Sequence, residues 1–326
     1  MISIFKKNDV LNIILLLPYA VLLRLHSIIY PKTYTITEAD SYLSAWLLSL
    51  IEQPLIQGTI AIVLVFGQAI AINVLINNHR LYRAPSALAG MIYILLVSCI
   101  PQLQYLSPAL IGATFIIISI YHVFSTYKLN AATLHIFNAA LTSCLAAFIY
   151  PPYFIFIIGI FIGFATMRNF KFLERLQFLI GYITVVWILS AFFFFIGKLD
   201  NHLYNFIGFP GAIFDFSLLL SQENLILSGY IFLTLLVLVS YYNYVKKKGI
   251  DVRKKIAFFY WMMVCSLLPI FFFYGIGFHH FIFLAIPLSF FLSMSLLLIK
   301  NTFLVEVFHL CVIAGLMYYQ FIGITV

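Results

Sequence analysis

The feature that most constrains this chain is a series of long apolar runs separated by short basic clusters. An α-helix needs roughly 20 apolar residues to cross the hydrocarbon core of a bilayer. Lipid offers no hydrogen-bond partners, so each crossing segment must satisfy its own backbone groups as a helix. The pattern therefore predicts an all-α, polytopic bundle of about 11 transmembrane helices.

Composition excludes a soluble protein. Hydrophobic residues make up 64% of the 326 positions and charged residues only 9%, with a mean hydropathy of +1.09. A soluble domain carries about 25% charged residues. We expect residues 1–326 to form a single integral membrane domain with no soluble domain. The net charge of +8 lies in scattered clusters, not on one face, so we expect no nucleic-acid partner.

The apolar runs set approximate boundaries for each span. We place the spans at residues 9–30, 55–76, 85–100, 109–124, 131–150, 153–168, 178–196, 225–245, 256–274, 281–299 and 305–324. Pro18 is expected to kink the first span, which we interpret as a retained helix and not as a cleaved signal peptide. The stretch Ser41–Gln53 is too short to span, and we predict that it forms a short interfacial helix.

The basic residues predict the orientation. With the N-terminus in the cytoplasm, inside segments hold 15 of the 18 lysine and arginine residues. Only Lys32 and Lys198 fall in outside loops, and Arg24 lies within a span. This distribution follows the positive-inside rule. It favours an N-in, C-out bundle in the bacterial cytoplasmic (inner) membrane.

Polar residues that could perform chemistry collect in three outside segments. These residues are Glu38, Asp40 and Glu52 after the first span, Lys198 and His202 after the seventh, and His279 and His280 before the tenth. Asp40 is open to two interpretations. It could deprotonate a hydroxyl or hold a divalent cation, or it could close a capping box with Thr37 as the N-cap residue. No cofactor is otherwise predicted.

Three further candidates have competing interpretations. Arg24 is an ionisable group within a span and could bind a lipid phosphate, reach the headgroups by snorkelling, or pair with a carboxylate. His279 and His280 could contact phosphate, bind a metal if they lie in a turn, or simply occupy the interface. Glu306 and His309 are three residues apart, and such a lone pair is more often a structural hydrogen bond than a metal site.

The layout resembles the GT-C superfamily of polyprenol-phosphate-dependent glycosyltransferases. The resemblance depends on the many N-in helices and on the first outside loop, with its acids and its short surface helix. It implies that Asp40 or Glu38 activates the acceptor, and that Arg24 with His279 or His280 holds the lipid phosphate. Two departures are that Ala39 separates the acids and that no large soluble domain follows. The chain also resembles bacterial multi-span inner-membrane proteins without an assigned activity.

Three functions stay open on the sequence alone. The first is a GT-C-like transferase of lipid-linked sugars, whose partners would be membrane lipids that include polyprenol phosphate. The second is a non-catalytic subunit of an envelope export or polysaccharide assembly, with membrane-protein partners. The third is a transporter or flippase, for which broken helices and inverted repeats are typical. The transferase hypothesis predicts that Arg24, Asp40 and a histidine of the Phe278–His280 segment surround one cavity.

Overall fold

The computed structural model describes residues 2–36, 40–200, 224–246, 248–269, 278–299 and 302–323. The described residues are 81% helical and include no strand. Five described helical segments are long and apolar enough to cross a membrane: Pro54–Asn78, Pro108–Ser125, Phe172–Phe195, Phe278–Leu298 and Phe303–Phe321. Several shorter apolar helices accompany them. The prediction of an all-helical, multi-spanning membrane protein is confirmed at this level.

Sixteen α-helices are present among the described residues. They are α1 (Ile2–Phe5), α2 (Val10–Ile14), α3 (Leu16–Leu23), α4 (Leu25–Ile29), α5 (Tyr42–Ser49), α6 (Pro54–Asn78), α7 (Leu88–Cys99), α8 (Pro108–Ser125), α9 (Thr133–Ile149), α10 (Phe156–Met167), α11 (Phe172–Phe195), α12 (Asn224–Val239), α13 (Tyr241–Val245), α14 (Ile250–Leu267), α15 (Ile282–Leu298) and α16 (Thr302–Tyr318). Short 3₁₀ turns cover Pro101–Gln104, Pro151–Ile155 and Phe278–Phe281, and a π-turn follows α16 at Tyr319–Gly323.

The first predicted span is not one kinked helix. It is divided into α2, α3 and α4, with interruptions at Leu15 and Arg24. Arg24 has φ −117° and ψ 19°, which lies outside the α-helical region. Pro18 is the third residue of α3, where a missing N–H costs nothing because the first-turn N–H groups have no helical partner. The interruption at Leu15 directly follows Ile14, whose carbonyl has no donor from Pro18, so it agrees with the expected proline kink. The second break, at Arg24, was not predicted.

The short helix after the first segment begins later than the capping box requires. The N-cap of α5 is Ser41, whose Oγ accepts a hydrogen bond from the Ser44 backbone N at 3.1 Å. Asp40 precedes the helix, so the prediction that Asp40 is the N3 residue of a capping box is wrong. Thr37 lies outside the described residues. The apolar side of α5 packs against α9 and α11 through Leu43, which lies in one cluster with Phe148.

The core forms where helices approach closely. Helix α7 packs between α6 and α15, while α9 packs between α8 and α11. Helix α10 lies against α14, and Gly163 makes this approach possible. A Cβ atom at Gly163 would come within 2.5 Å of the Phe258 ring. Small residues commonly permit such contacts between membrane helices, where packing rather than the hydrophobic effect drives association.

One end of the bundle is held together by lysines near the start of α14. Each donates a hydrogen bond to a backbone carbonyl in a distant part of the chain: Lys248 to Leu81 at 3.3 Å, Lys254 to Met167 at 3.3 Å and Lys255 to His79 at 3.4 Å. Lys255 is also paired with Asp251 at 2.7 Å. Carbonyls at helix ends have no helical partner, and a cation there also complements the helix dipole.

Candidate functional site

A cavity of about 250 Å³, lined mainly by residues with polar side chains, lies at the opposite set of connections. Three separate segments line it: residues 26–35 at the end of the first helical segment, residues 101–105 after α7, and His279 before α15. These segments follow the first, third and ninth predicted spans. Chain connections far apart in sequence thus meet in one polar site.

His279 is fixed at the cavity wall by both of its ring nitrogens. Its Nδ1 lies 2.9 Å from Gln102 Oε1, and its Nε2 lies 3.1 Å from the Tyr150 hydroxyl. Because an amide oxygen can only accept, Nδ1 carries the proton and Nε2 accepts from Tyr150. The same Gln102 oxygen accepts the backbone N–H of His279 at 2.9 Å. The imidazole is thereby neutral and oriented, and neither nitrogen is available to a metal.

Asp40 reaches the cavity through one tyrosine. Tyr34 lines the cavity and donates from its hydroxyl to Asp40 Oδ2 at 3.1 Å. The Tyr34 ring also stands edge-on to His279, with the ring centroids 5.9 Å apart. Asp40 is buried, with 8% of its surface exposed. The carboxylate thus lies one side chain from the cavity, and Tyr34 connects it to His279.

Arg24 lies behind the cavity wall and is completely buried, with 0% exposure. Its Nη1 donates to the backbone oxygen of Gln104, a cavity residue, at 3.3 Å. Its Nε and Nη2 have no hydrogen-bond partner among the described residues, and no described carboxylate forms an ion pair with it. The guanidinium therefore points into the protein and does not snorkel to the headgroups. A buried cation without a counter-ion is costly unless something else compensates it.

Further unpartnered polar atoms surround this arginine. Gln104 Nε2 donates to the Ser98 backbone oxygen at 2.6 Å, and Gln320 Nε2 donates to the same oxygen at 3.2 Å and to Leu23 O at 3.1 Å. Ser98 Oγ and the side-chain oxygens of both glutamines have no hydrogen-bond partner among the residues described. Buried polar groups normally have partners, so this cluster has the capacity for a bound polar group.

The electrostatics of the cavity favour an anion. Lys32 lines it and Arg24 lies behind it, while its described lining includes no carboxylate. Burial raises the pKa of the Tyr105 phenol at the rim, which keeps this group protonated as a hydrogen-bond donor. Cations and neutral hydrogen-bond donors of this kind bind phosphate or carboxylate groups.

Other predicted site residues lie elsewhere. His280 points into the core, where its Nε2 lies 3.0 Å from the Ser266 backbone oxygen. Lys198 is exposed beyond the end of α11 and does not line the cavity. Glu38 and His202 lie outside the described residues. The two adjacent histidines thus have different environments, and only His279 belongs to the site.

The Glu306 and His309 pair does not converge on a shared centre. His309 lies 3.4 Å from the Tyr19 hydroxyl, whereas Glu306 accepts from the Ser3 backbone N at 3.4 Å. Within the described ranges, no group of three or more metal-ligating side chains is present. The spacing of these two residues therefore reflects separate structural contacts.

Several cavity residues were missed by sequence reasoning. His26, Tyr34, Gln102 and Gln104 are single polar residues of types common in any interfacial segment. The only signal was the unusual polarity of residues 101–105 between two apolar runs. A glutamine there is uninformative until the fold brings it beside an arginine 80 residues away.

Comparison with known proteins adds no further assignment. No protein-family model, no curated protein and no solved structure matches this chain.

Proposed function

We propose that this chain is a GT-C-like transferase of the bacterial inner membrane that uses a polyprenol-phosphate-linked sugar on the outer face. The single observation that carries the proposal is Arg24, a completely buried cation beside the cavity with two N–H-bearing nitrogens that bond no described residue. A phosphate is the common membrane-lipid group that supplies both the charge and the acceptors that this arginine needs.

The proposed reaction assigns one task to each group. The acceptor hydroxyl attacks the anomeric carbon of the sugar, and the bond from that carbon to the phosphate oxygen breaks. The hydroxyl proton passes through the Tyr34 hydroxyl to Asp40. Arg24 and Lys32 stabilise the negative charge that develops on the departing lipid phosphate. Tyr34 orients the Asp40 carboxylate through its 3.1 Å hydrogen bond.

The threading of eleven spans with the N-terminus inside belongs to the same proposal, and the grouping of connections supports it. The cavity segments follow the first, third and ninth predicted spans, so all three would lie outside. The carbonyls bonded by Lys248, Lys254 and Lys255 follow the second and sixth spans, and the lysines themselves follow the eighth. Odd and even connections thus separate to different ends, as alternate crossings require.

The test is turnover of a polyprenol-phosphate-linked sugar by the purified chain in lipid discs. We expect release by the wild type and a loss of about 10²-fold or more in Asp40→Asn, the range typical of a removed general base. Glu52→Gln is the matched control, because Glu52 lies in the same connection but is exposed. Equal rates in wild type and Asp40→Asn would refute the role of Asp40. Binding of the lipid without release would favour a non-catalytic subunit.

A transporter or flippase is the second candidate, and one observation favours it. The first helical segment is interrupted at Arg24, directly beside the cavity, and discontinuous helices at a substrate site are typical of transporters. Transbilayer movement of a labelled lipid phosphate in vesicles, without cleavage of the sugar, would support this function. Sugar release without transbilayer movement would exclude it.

A further inference from the structure

Two histidines form a pair at the basic end of the bundle, away from the cavity described above. His122 lies in the last turn of α8 and His135 in the first turn of α9. Their Nδ1 atoms are 3.0 Å apart, and both side chains are partly exposed. His135 lies thirteen positions after His122, and the hairpin between α8 and α9 brings the two together.

We propose that His122 and His135 form a binding site for a divalent zinc-like cation, independent of the transferase function. The 3.0 Å distance between the two Nδ1 atoms is close to the distance between two imidazole nitrogens bound to one ion. Imidazole nitrogens lie about 2.0–2.1 Å from Zn²⁺, and a tetrahedral angle at the ion places two of them about 3.4 Å apart. To admit the ion, the nitrogens separate by about 0.4 Å and both rings tilt so that their lone pairs converge on it. The ion replaces the proton that the two nitrogens share, and that proton leaves to water.

The two helices hold the pair in position. One turn deeper, the Ser119 hydroxyl donates to the Ala139 backbone oxygen at 2.9 Å and ties α8 to α9. Helices α8 and α9 pack along their length, so the backbone positions of both histidines are set before an ion arrives. The Tyr121 ring stands edge-on to His122, with centroids 5.9 Å apart, and limits its rotation. Such preorganisation is what a two-ligand site needs to reach useful affinity.

The ligand set suits a borderline cation with open positions. Neutral imidazoles suit Zn²⁺, Cu²⁺ and Ni²⁺, whereas Mg²⁺ and Ca²⁺ prefer oxygen ligands. In the described part of the chain no third metal-ligating side chain joins the pair. Water or external ligands therefore fill the two remaining positions, one more than at catalytic zinc sites with three protein ligands.

Zinc titration of the full chain, in lipid discs and without an affinity tag, tests the proposal. We expect one Zn²⁺ per chain, and a loss of affinity above the roughly 10–100-fold that outer-shell changes cost in both His122→Gln and His135→Gln. His309→Gln is the control, because His309 contacts Tyr19 in a different part of the bundle.

A conservative variant keeps the test decisive if the glutamine variants fold poorly. His135→Cys removes the hydrogen bond between the imidazoles but supplies a thiolate, so we expect it to retain zinc and the zinc-dependent rise in melting temperature. A pair that only shares a hydrogen bond would give no such rescue. Absence of a stoichiometric site in the wild type, or unchanged zinc affinity in both glutamine variants, would overturn the proposal.

Discussion

Replacing Arg24 by methionine tests two effects of this residue separately: its effect on folding stability and its role in binding a lipid phosphate. Methionine keeps much of the apolar stem but removes the charge and the hydrogen bond to Gln104. In the ligand-free protein, Arg24 is a buried cation that no described carboxylate compensates. We therefore expect Arg24→Met to leave the stability of the ligand-free protein unchanged or to increase it, while abolishing lipid-phosphate binding.

The magnitude follows from two opposing contributions. Losing a hydrogen bond that involves a charged group costs about 1.5–3 kcal/mol. Relieving the desolvation of an unpaired buried ion gains several kcal/mol, and apolar replacement of buried ions is often neutral or stabilising by about 1–4 kcal/mol. The net expectation for Arg24→Met lies between zero and a gain of about 3 kcal/mol.

A paired arginine supplies the matched control. Arg168 forms an ion pair with Glu174 at 2.7 Å, and only 10% of each side chain is exposed. Arg168→Met leaves that carboxylate without its partner, so we expect a loss of about 3 kcal/mol.

The assay is thermal unfolding in lipid discs, with and without a polyprenyl phosphate. For a chain of this size, each kcal/mol corresponds to a shift of about 2 °C. We expect the melting temperature of Arg168→Met to fall by about 6 °C and that of Arg24→Met to hold or rise. The lipid should raise the melting temperature of the wild type but not of Arg24→Met. If the melting temperature of Arg24→Met fell as far as that of Arg168→Met, the Arg24 charge would have to be compensated, and the reasoning would be refuted.

Two further predictions concern packing and pH. Gly163→Ala places a methyl group 2.5 Å from the Phe258 ring, so we expect a loss of about 1–3 kcal/mol in thermal unfolding, whereas Gly229→Ala, with no neighbour within 4 Å, should change little. At the basic end, burial and then Lys255 lower the pKa of His79 to about 4 from 6.5. Because the unfolded chain binds the proton first, the stabilisation is complete above pH 6.5 and is lost as the pH falls towards 4. His79→Gln should flatten the melting temperature over that pH range, and an unchanged pH profile would contradict this assignment.

The sequence predicted helices best where hydrophobicity alone decides them. The predicted span 55–76 agrees within two residues with α6 at Pro54–Asn78. The predicted span 109–124 agrees within one residue with α8 at Pro108–Ser125. Helix α11 begins at Phe172, six residues before the predicted start, because Glu174 accepts a hydrogen bond from the Lys171 backbone N and stabilises an amphipathic first turn. A hydropathy window cannot detect that local contact.

The candidate site was harder to predict from the sequence than the helices were. Asp40, Arg24 and His279 were notable as ionisable groups in an apolar chain, and composition was enough to select them. Their connections through Tyr34 and Gln104 depend on how three distant segments meet. His280 could not be separated from His279, because the direction of each ring depends on the 3₁₀ turn at Phe278–Phe281.

The lysine contacts at the basic end have a consequence for how the chain is made. The carbonyls of His79, Leu81 and Met167 emerge from the ribosome 176, 167 and 87 residues before the ammonium groups that bond them. The early helix ends can therefore form these hydrogen bonds only after the late segment with the lysines has been made. A nascent chain stalled before residue 248 should be more sensitive to membrane proteases than one released after Lys255. Under the proposed N-in orientation, the basic residues that keep this end in the cytoplasm also complete its assembly.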